Sequence, residues 1–193
     1  MLAVEAFEKF AVDEQGTGAD QGEGAWSRPI FWAACDSAWL QGDDGRMGYE
    51  VSLADVESRP TAVVAATTTW QEFPALWGQL LGEVWGCLHA GRIYRGCRNV
   101  MLYLDSVPNV EVGVLLDQPC PLIGRVVASA LPAGTAAMTV HRGPFGDVGA
   151  AHDAVLDWCA GHEYRLDGTR WEVYGPHSDD PAGQWTEVYW LLS

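Results

Sequence analysis

Two short stretches near the end of the chain set carboxylates among aromatic rings at the spacing of an extended strand. Side chains of a strand alternate, so in Trp185-Thr186-Glu187-Val188-Tyr189 the residues Trp185, Glu187 and Tyr189 share one face, leaving Thr186, Val188 and Trp190 on the other. In the run 170–175 (RWEVYG), Glu172 and Tyr174 also share a face. If those two faces coincide, two carboxylates and several rings converge in one cleft. An acid walled by rings has two uses. Ionised, it offsets its own burial only when a cation or a set of donors arrives, which makes it a receptor for lipophilic cations assisted by cation–π contact. Pushed upward in pKa by desolvation, it acts as a general acid or, once ionised, as a base that activates water. Position alone leaves a plainer reading open: a strand glutamate is commonly solvated, and Glu172 could instead bond backbone groups of the sheet.

Other chemistries find little footing. The histidines, His89, His141, His152, His162 and His177, show no metal-ligand spacing beside a third ligand, so no metal is expected. No serine lies in a nucleophile elbow and no glycine-rich phosphate loop is present, so neither nucleotide chemistry nor any cofactor is expected. Cys35, Cys87, Cys97, Cys120 and Cys159 are odd in number and never form a CxxC pair, which fits a reducing compartment rather than a disulfide framework. A net charge of -15 opposes contact with phosphate backbones, so direct nucleic-acid binding is not expected. No apolar run approaches the ~20 residues of a membrane helix, and no leader opens the sequence. A cytoplasmic protein without a membrane partner is therefore expected.

The elements that would position these residues come in two copies. The first runs 61–69 (TAVVAATTT), a helical stretch 73–90, then 100–105 (VMLYLD) and 110–117 (VEVGVLLD). The second runs 135–141 (TAAMTVH), a helical stretch 147–160, then 170–175 and 185–192 (WTEVYWLL). Equivalent landmarks lie 70 to 76 positions apart, with Tyr103 matching Tyr174 and Glu111 matching Glu187. Each copy reads strand, helix, strand, strand. The expected fold is therefore α+β: tandem βαββ repeats forming one mostly antiparallel sheet, two helices on one face, and a ligand cleft between the halves. Trp77, Leu80, Leu81, Val84, Trp85 and Leu88 form the apolar stripe of the first helix, with Gly91 as its C-terminal cap. Val148, Ala151, Val155, Trp158 and Cys159 form that of the second, with Asp147 as its N-cap. Residues 1–48 differ in texture: a short amphipathic helix (Val4, Phe7, Phe10, Ala11), a glycine-rich break at 16–24, and an aromatic patch at 26–40. They read as an extension laid over the main domain at 49–193, either covering a pocket mouth or hanging as a tail.

The stretch 131–144 (LPAGTAAMTVHRGP), a helix ending Trp158-Cys159-Ala160-Gly161, then Trp171-Glu172-Val173-Tyr174-Gly175-Pro176 and Thr186-Glu187-Val188-Tyr189 together resemble the GyrI-like superfamily. That group joins stand-alone gyrase-inhibitor-like proteins and the effector-binding domains of multidrug-sensing regulators; with no helix-turn-helix in view, this chain reads as a stand-alone member. The resemblance implies a cleft between two βαββ units that takes bulky hydrophobic, aromatic or cationic compounds. It carries the family's last-strand carboxylate onto Glu187 and its Glu-x-Tyr signature onto Glu172 and Tyr174. The ligand-binding set expected on this basis is Glu187, Glu172, Tyr174, Trp185, Tyr103 and Glu111, with a role in drug or natural-product resistance. Some stand-alone members open strained cyclopropyl groups of DNA-alkylating natural products. The alternative is thus a hydrolase in which Glu187, with Tyr189 or Tyr103, adds water to such an electrophile. A third class is a protein partner such as gyrase, docked through the acidic surface.

Overall fold

A computed structural model describes residues 48–93, 97–176 and 178–193. The helix and aromatic patch expected within 1–47, and the role of the extension, lie outside the described residues. The strands are β1 (Ser52–Val56), β2 (Arg59–Thr67), β3 (Asn99–Tyr103), β4 (Asn109–Leu115), β5 (Val127–Leu131), β6 (Gly134–Arg142), β7 (Leu166–Tyr174) and β8 (Trp185–Leu192), and the helices are α1 (Phe73–Ala90) and α2 (Gly149–Gly161). All eight strands join one antiparallel sheet in the order β1-β6-β8-β7-β3-β4-β2-β5.

The α+β duplication is as expected, with one addition. Each half carries a short leading strand, and each leading strand pairs with the other half: β1 lies against β6, and β5 against β2. Half one therefore supplies β3, β4 and β2, half two supplies β6, β8 and β7, and the seam between them is the β3–β7 pair. Only two residues separate Val56 from Arg59, and two separate Leu131 from Gly134. Three peptide steps span at most about 10 Å. The β1→β2 link must join one edge of the sheet to the neighbourhood of the other, so the sheet curls until its edges approach. Gly113 lies in that curl. A Cβ there would sit 1.9 Å from the Ala62 carbonyl oxygen of the adjacent strand, so no side chain fits.

Both helices pack on the outer face. The stripe Trp77, Leu80, Leu81, Val84, Trp85 and Leu88 of α1 is buried against Ala62, Val64, Met101, Val110, Val112 and Val114. Ala151, Val155 and Cys159 of α2 are buried on Ala137, Val188 and Trp190. Removal of each such Leu or Val from water is worth about 1.5–3 kcal/mol. The inner face holds a separate cluster of Val100, Leu102, Leu115, Leu131, Ala136, Trp171 and Val173.

The helix ends differ from expectation in detail. Gly91 is the last capping residue of α1 but has φ −78, and the left-handed turn falls on Arg92 (φ 62). The same happens after α2, where Glu163 has φ 59. Asp147 is not an N-cap. It lies in a 3-10 turn, Phe145–Asp147, that feeds α2 through Val148, whose side chain makes no capping bond. The start of α1 is set by Thr69, whose Oγ1 accepts the Glu72 N–H at 3.2 Å and donates to the Glu72 carboxylate at 3.1 Å.

Candidate ligand site at the seam between the halves

The sheet register decides which of the acids and rings meet. Cross-strand partners share a face, and Glu172 pairs with Val188 whereas Glu187 pairs with Val173. Glu172 and Tyr174 therefore point to the helix side, and Glu187 and Tyr189 to the inner side. The two carboxylates do not converge, because the register sets Glu172 opposite Val188 rather than opposite Glu187, so the two Glu-x-Tyr stretches present opposite faces of the sheet.

On the helix side, Arg170, Glu172 and Tyr174 of β7 line the seam under the gap between α1 and α2. Met101 and Tyr103 lie across from them on β3, paired with Glu172 and Arg170. Glu172 is 3% exposed and accepts three hydrogen bonds. Tyr103 Oη donates to Oε1 at 3.2 Å, Tyr174 Oη donates to Oε2, and the His152 Nε2 of α2 lies 2.9 Å from Oε1. Trp190 Nε1, which can only donate, gives its proton to His152 Nδ1 at 3.0 Å. Nδ1 must therefore accept, which makes His152 the neutral tautomer with its proton on Nε2, aimed at the acid. Burial alone would raise the Glu172 pKa. The bond from His152 and those from the two phenols outweigh it and hold the carboxyl below its ordinary value. Tyr103 and Tyr174 are driven the other way, well above theirs, by burial and by the adjacent carboxylate. The site thus keeps an ionised acid among protonated phenols.

Rings enclose this acid. Trp70, Phe73 and Tyr103 contact one another at 5.8–6.5 Å between centroids, Trp77 and Phe145 approach Tyr174 at 6.5 and 5.4 Å, and Trp190 packs on His152 at 5.8 Å. Trp70 and Phe145 are half-buried and sit on corresponding turns, β2→α1 and β6→α2. The Arg170 guanidinium lies over three of these rings, 4.6 Å from Tyr103, 4.9 Å from Trp190 and 5.3 Å from Trp70.

The inner face gathers a second, more open set. Glu187 pairs with Arg98 at 3.0 Å and accepts from Tyr189 Oη at 3.2 Å. Arg98 also donates to the carbonyls of Tyr174 and Val173 and stacks on Trp185 at 4.6 Å. Tyr189 stacks flat on Trp171 at 5.1 Å, and burial beside Glu187 pushes its phenol up to about 12. Glu111 is on this same face, paired with Leu102, with its Oε2 buried and unpartnered. Of the residues singled out from sequence, Glu172, Tyr174 and Tyr103 come together, while Glu187, Tyr189, Trp185 and Glu111 lie on the opposite side of the sheet.

Sequence reasoning gave no role in this site to His152, Arg170, Trp70, Phe73 or Phe145. One signal for His152 was available: it stands four residues after Val148 and three before Val155, inside the apolar stripe of α2. His141, by contrast, is a structural link, bonded to Tyr49 Oη at 2.8 Å and to the Pro144 carbonyl at 2.9 Å. Among the described residues no cluster of histidine, cysteine and acid could hold a metal ion, and no helix is long and apolar enough to cross a membrane.

Solved structures share this architecture. The C-terminal domain of EcmrR matches with a TM-score of 0.53 at 19% identity, covering 76% of this chain and 99% of that one. EcmrR in a DNA complex matches with a TM-score of 0.59 at 18% identity over 77% of this chain, which spans only 59% of the EcmrR chain. SAV2435 bound to tetraphenylphosphonium matches with a TM-score of 0.55 at 9% identity, covering 75% and 94%. At these identities the likeness is one of fold. No curated protein sequence matches the chain. Residues 49–192 match the family profile described as a GyrI-like small molecule binding domain, and by that match over most of its length the chain belongs to the GyrI-like family.

Proposed function

We propose that the seam under α1 and α2 binds bulky aromatic small molecules, with Glu172 as the anchoring acid, in a role of drug or natural-product resistance. The observation that carries this reading is the state of Glu172: a buried, ionised carboxylate whose hydrogen-bond partners among the described residues are the side chains of Tyr103, Tyr174 and His152, within a set of aromatic rings. Such an acid can exchange Tyr103 or Tyr174 for a donor or positive edge on a ligand without exposing the backbone. Entry would turn aside the half-buried Trp70 and Phe145 on the two corresponding turns. The carboxylate role expected for Glu187 is assigned here to Glu172, because Glu172 is buried among the rings while Glu187 lies on the other face, more exposed and in direct ion pair with Arg98. The ligand-bound SAV2435 supports a site for bulky aromatic compounds on this fold.

The test is tryptophan fluorescence on addition of planar aromatic compounds and of tetraphenylphosphonium, with mass spectrometry of the recovered compound. Quenching with unchanged mass, lost on Glu172→Gln and kept on Glu187→Gln, is expected. Loss confined to Glu187→Gln would move the site to the inner face. The hydrolytic alternative draws on the same geometry, since an ionised acid beside two protonated phenols could activate water while a phenol protonates an opening ring. It requires the compound to gain the mass of water, with the gain abolished by Glu172→Gln.

A further inference from the structure

We propose that Arg170 is the chain's own occupant of the cation position in this site and sets its selectivity, favouring neutral aromatic ligands over lipophilic cations. The inference rests on the seam being the ligand site. Three ring faces, those of Tyr103, Trp190 and Trp70, surround the guanidinium at 4.6–5.3 Å, which is the arrangement by which proteins hold organic cations. Arg170 is 7% exposed, and its hydrogen bond to the Asp105 carbonyl is long at 3.4 Å. The rings, rather than a fork of hydrogen bonds, hold it. Arg170 stands two residues before Glu172 on the same strand face, so the two charges offset one another inside the seam. Burial lowers the guanidinium pKa while Tyr103, Glu172 and Asp105 support its charge, so it stays a cation.

The consequence follows from charge alone. A lipophilic cation entering the seam must either expel Arg170 from its rings or sit beside it, and both are unfavourable. A neutral ring system meets neither obstacle and can stack on Trp70 or Trp190 with Arg170 in place. The duplication supplies a comparison within the molecule. The position 71 residues before Arg170 is Asn99, uncharged and bonded to the Trp85 Nε1 at 2.9 Å, so the cation belongs to one half only.

The experiment measures affinity for tetraphenylphosphonium and for triphenylphosphine oxide, a neutral aryl phosphorus compound, with the full chain, Arg170→Gln and Arg170→Lys. Wild type should bind the neutral compound about tenfold more tightly than the cation, the value of one displaced cation–π contact. Arg170→Gln should gain about tenfold for the cation and change little for the neutral compound, whereas Arg170→Lys, which keeps the charge, should hold the wild-type order. A wild type that prefers the cation overturns the proposal, whatever the variants do. An unchanged ratio in a folded Arg170→Gln overturns it as well. Binding of neither probe by any of the three proteins overturns the reading of the seam as a ligand site, and this inference with it.

Discussion

Removing one phenol from the seam should cost far more than removing its counterpart from the inner face, and the structure gives the size of the difference. Tyr174→Phe deletes the hydroxyl that donates to Glu172 Oε2 and leaves that oxygen buried with no donor. Hydrogen bonds to a buried charge contribute about 1.5–3 kcal/mol, and an oxygen stripped of its donor where water cannot reach stays unsatisfied. A loss of about 2–3 kcal/mol is expected, which in a domain of this size lowers the melting temperature by about 4–12 °C. Tyr189→Phe also removes a hydroxyl bound to a glutamate, but Glu187 remains paired with Arg98 and its side chain is 21% exposed, so water replaces the bond. There the loss should stay within about 0.5 kcal/mol. Urea unfolding of the two variants and wild type at pH 7, with equal slopes, measures both numbers. Equal losses, or a larger one for Tyr189→Phe, would refute the claim that Glu172 is the buried, donor-dependent acid.

Four further outcomes follow from the same geometry. Glu172 is held below its ordinary value of 4.5 in the folded protein, so its contribution is complete above that pH and is lost as pH falls through the lower folded value; Glu172→Gln should flatten that acid limb in a pH series of unfolding curves. Tyr103 and Tyr174 are raised above 10.0, so their contribution is complete below that pH and stability should fall as pH rises beyond it, with a shallower fall in Tyr174→Phe. Among the glycines, Gly113→Ala should abolish folding or cost more than about 4 kcal/mol, because its methyl would overlap the Ala62 carbonyl. Gly86→Ala, on an α1 face with open space around it, should instead stabilise by about 0.5–1 kcal/mol, read from the same unfolding curves.

The duplication, the class of fold and the span of α1 were legible because they rest on periodicity. The apolar stripe of α1 repeats every three or four residues, and the strand cores repeat over 70 to 76 positions. The exchanged leading strands β1 and β5 were not legible. Their partners lie 64 to 86 residues away, in the other half, and five-residue strands exposed on most positions carry little pattern. The acid at the seam was only half legible. Alternation within β7 and within β8 could be read, but the face on which each strand presents its Glu-x-Tyr is set by the pairing register, and a shift of one residue turns every side chain over. Arg170 illustrates the same limit: its ring contacts come from β2→α1, β3 and β8, three segments brought together only by the sheet.

The symmetry of the two halves explains why the site holds a single acid, and it yields a sharp expectation. Tyr103 and Tyr174 are 71 positions apart, as are Met101 and Glu172, and Met101 is paired directly with Glu172 across the seam. The pseudo-two-fold axis therefore passes through that pair, and both corresponding tyrosines donate to the one carboxylate beside it. Two acids at this spot would face each other at the ~5 Å separation of cross-strand side chains, where like charges repel by about 3 kcal/mol at an effective dielectric constant near 20. Met101→Glu should accordingly destabilise the fold at pH 7 by about 3 kcal/mol beyond Met101→Gln, which carries the cost of a buried polar group without the charge. Its pH dependence should also invert. One member of the pair would keep its proton to a pH above the unfolded value, so Met101→Glu should be most stable in acid and weaken as pH rises through 4 to 7, opposite to the acid limb set by Glu172 in the wild type. Unfolding curves of the two variants across that range decide the matter. A Met101→Glu protein as stable at pH 7 as Met101→Gln, with the wild-type slope, would mean that the axis does not run through the buried acid.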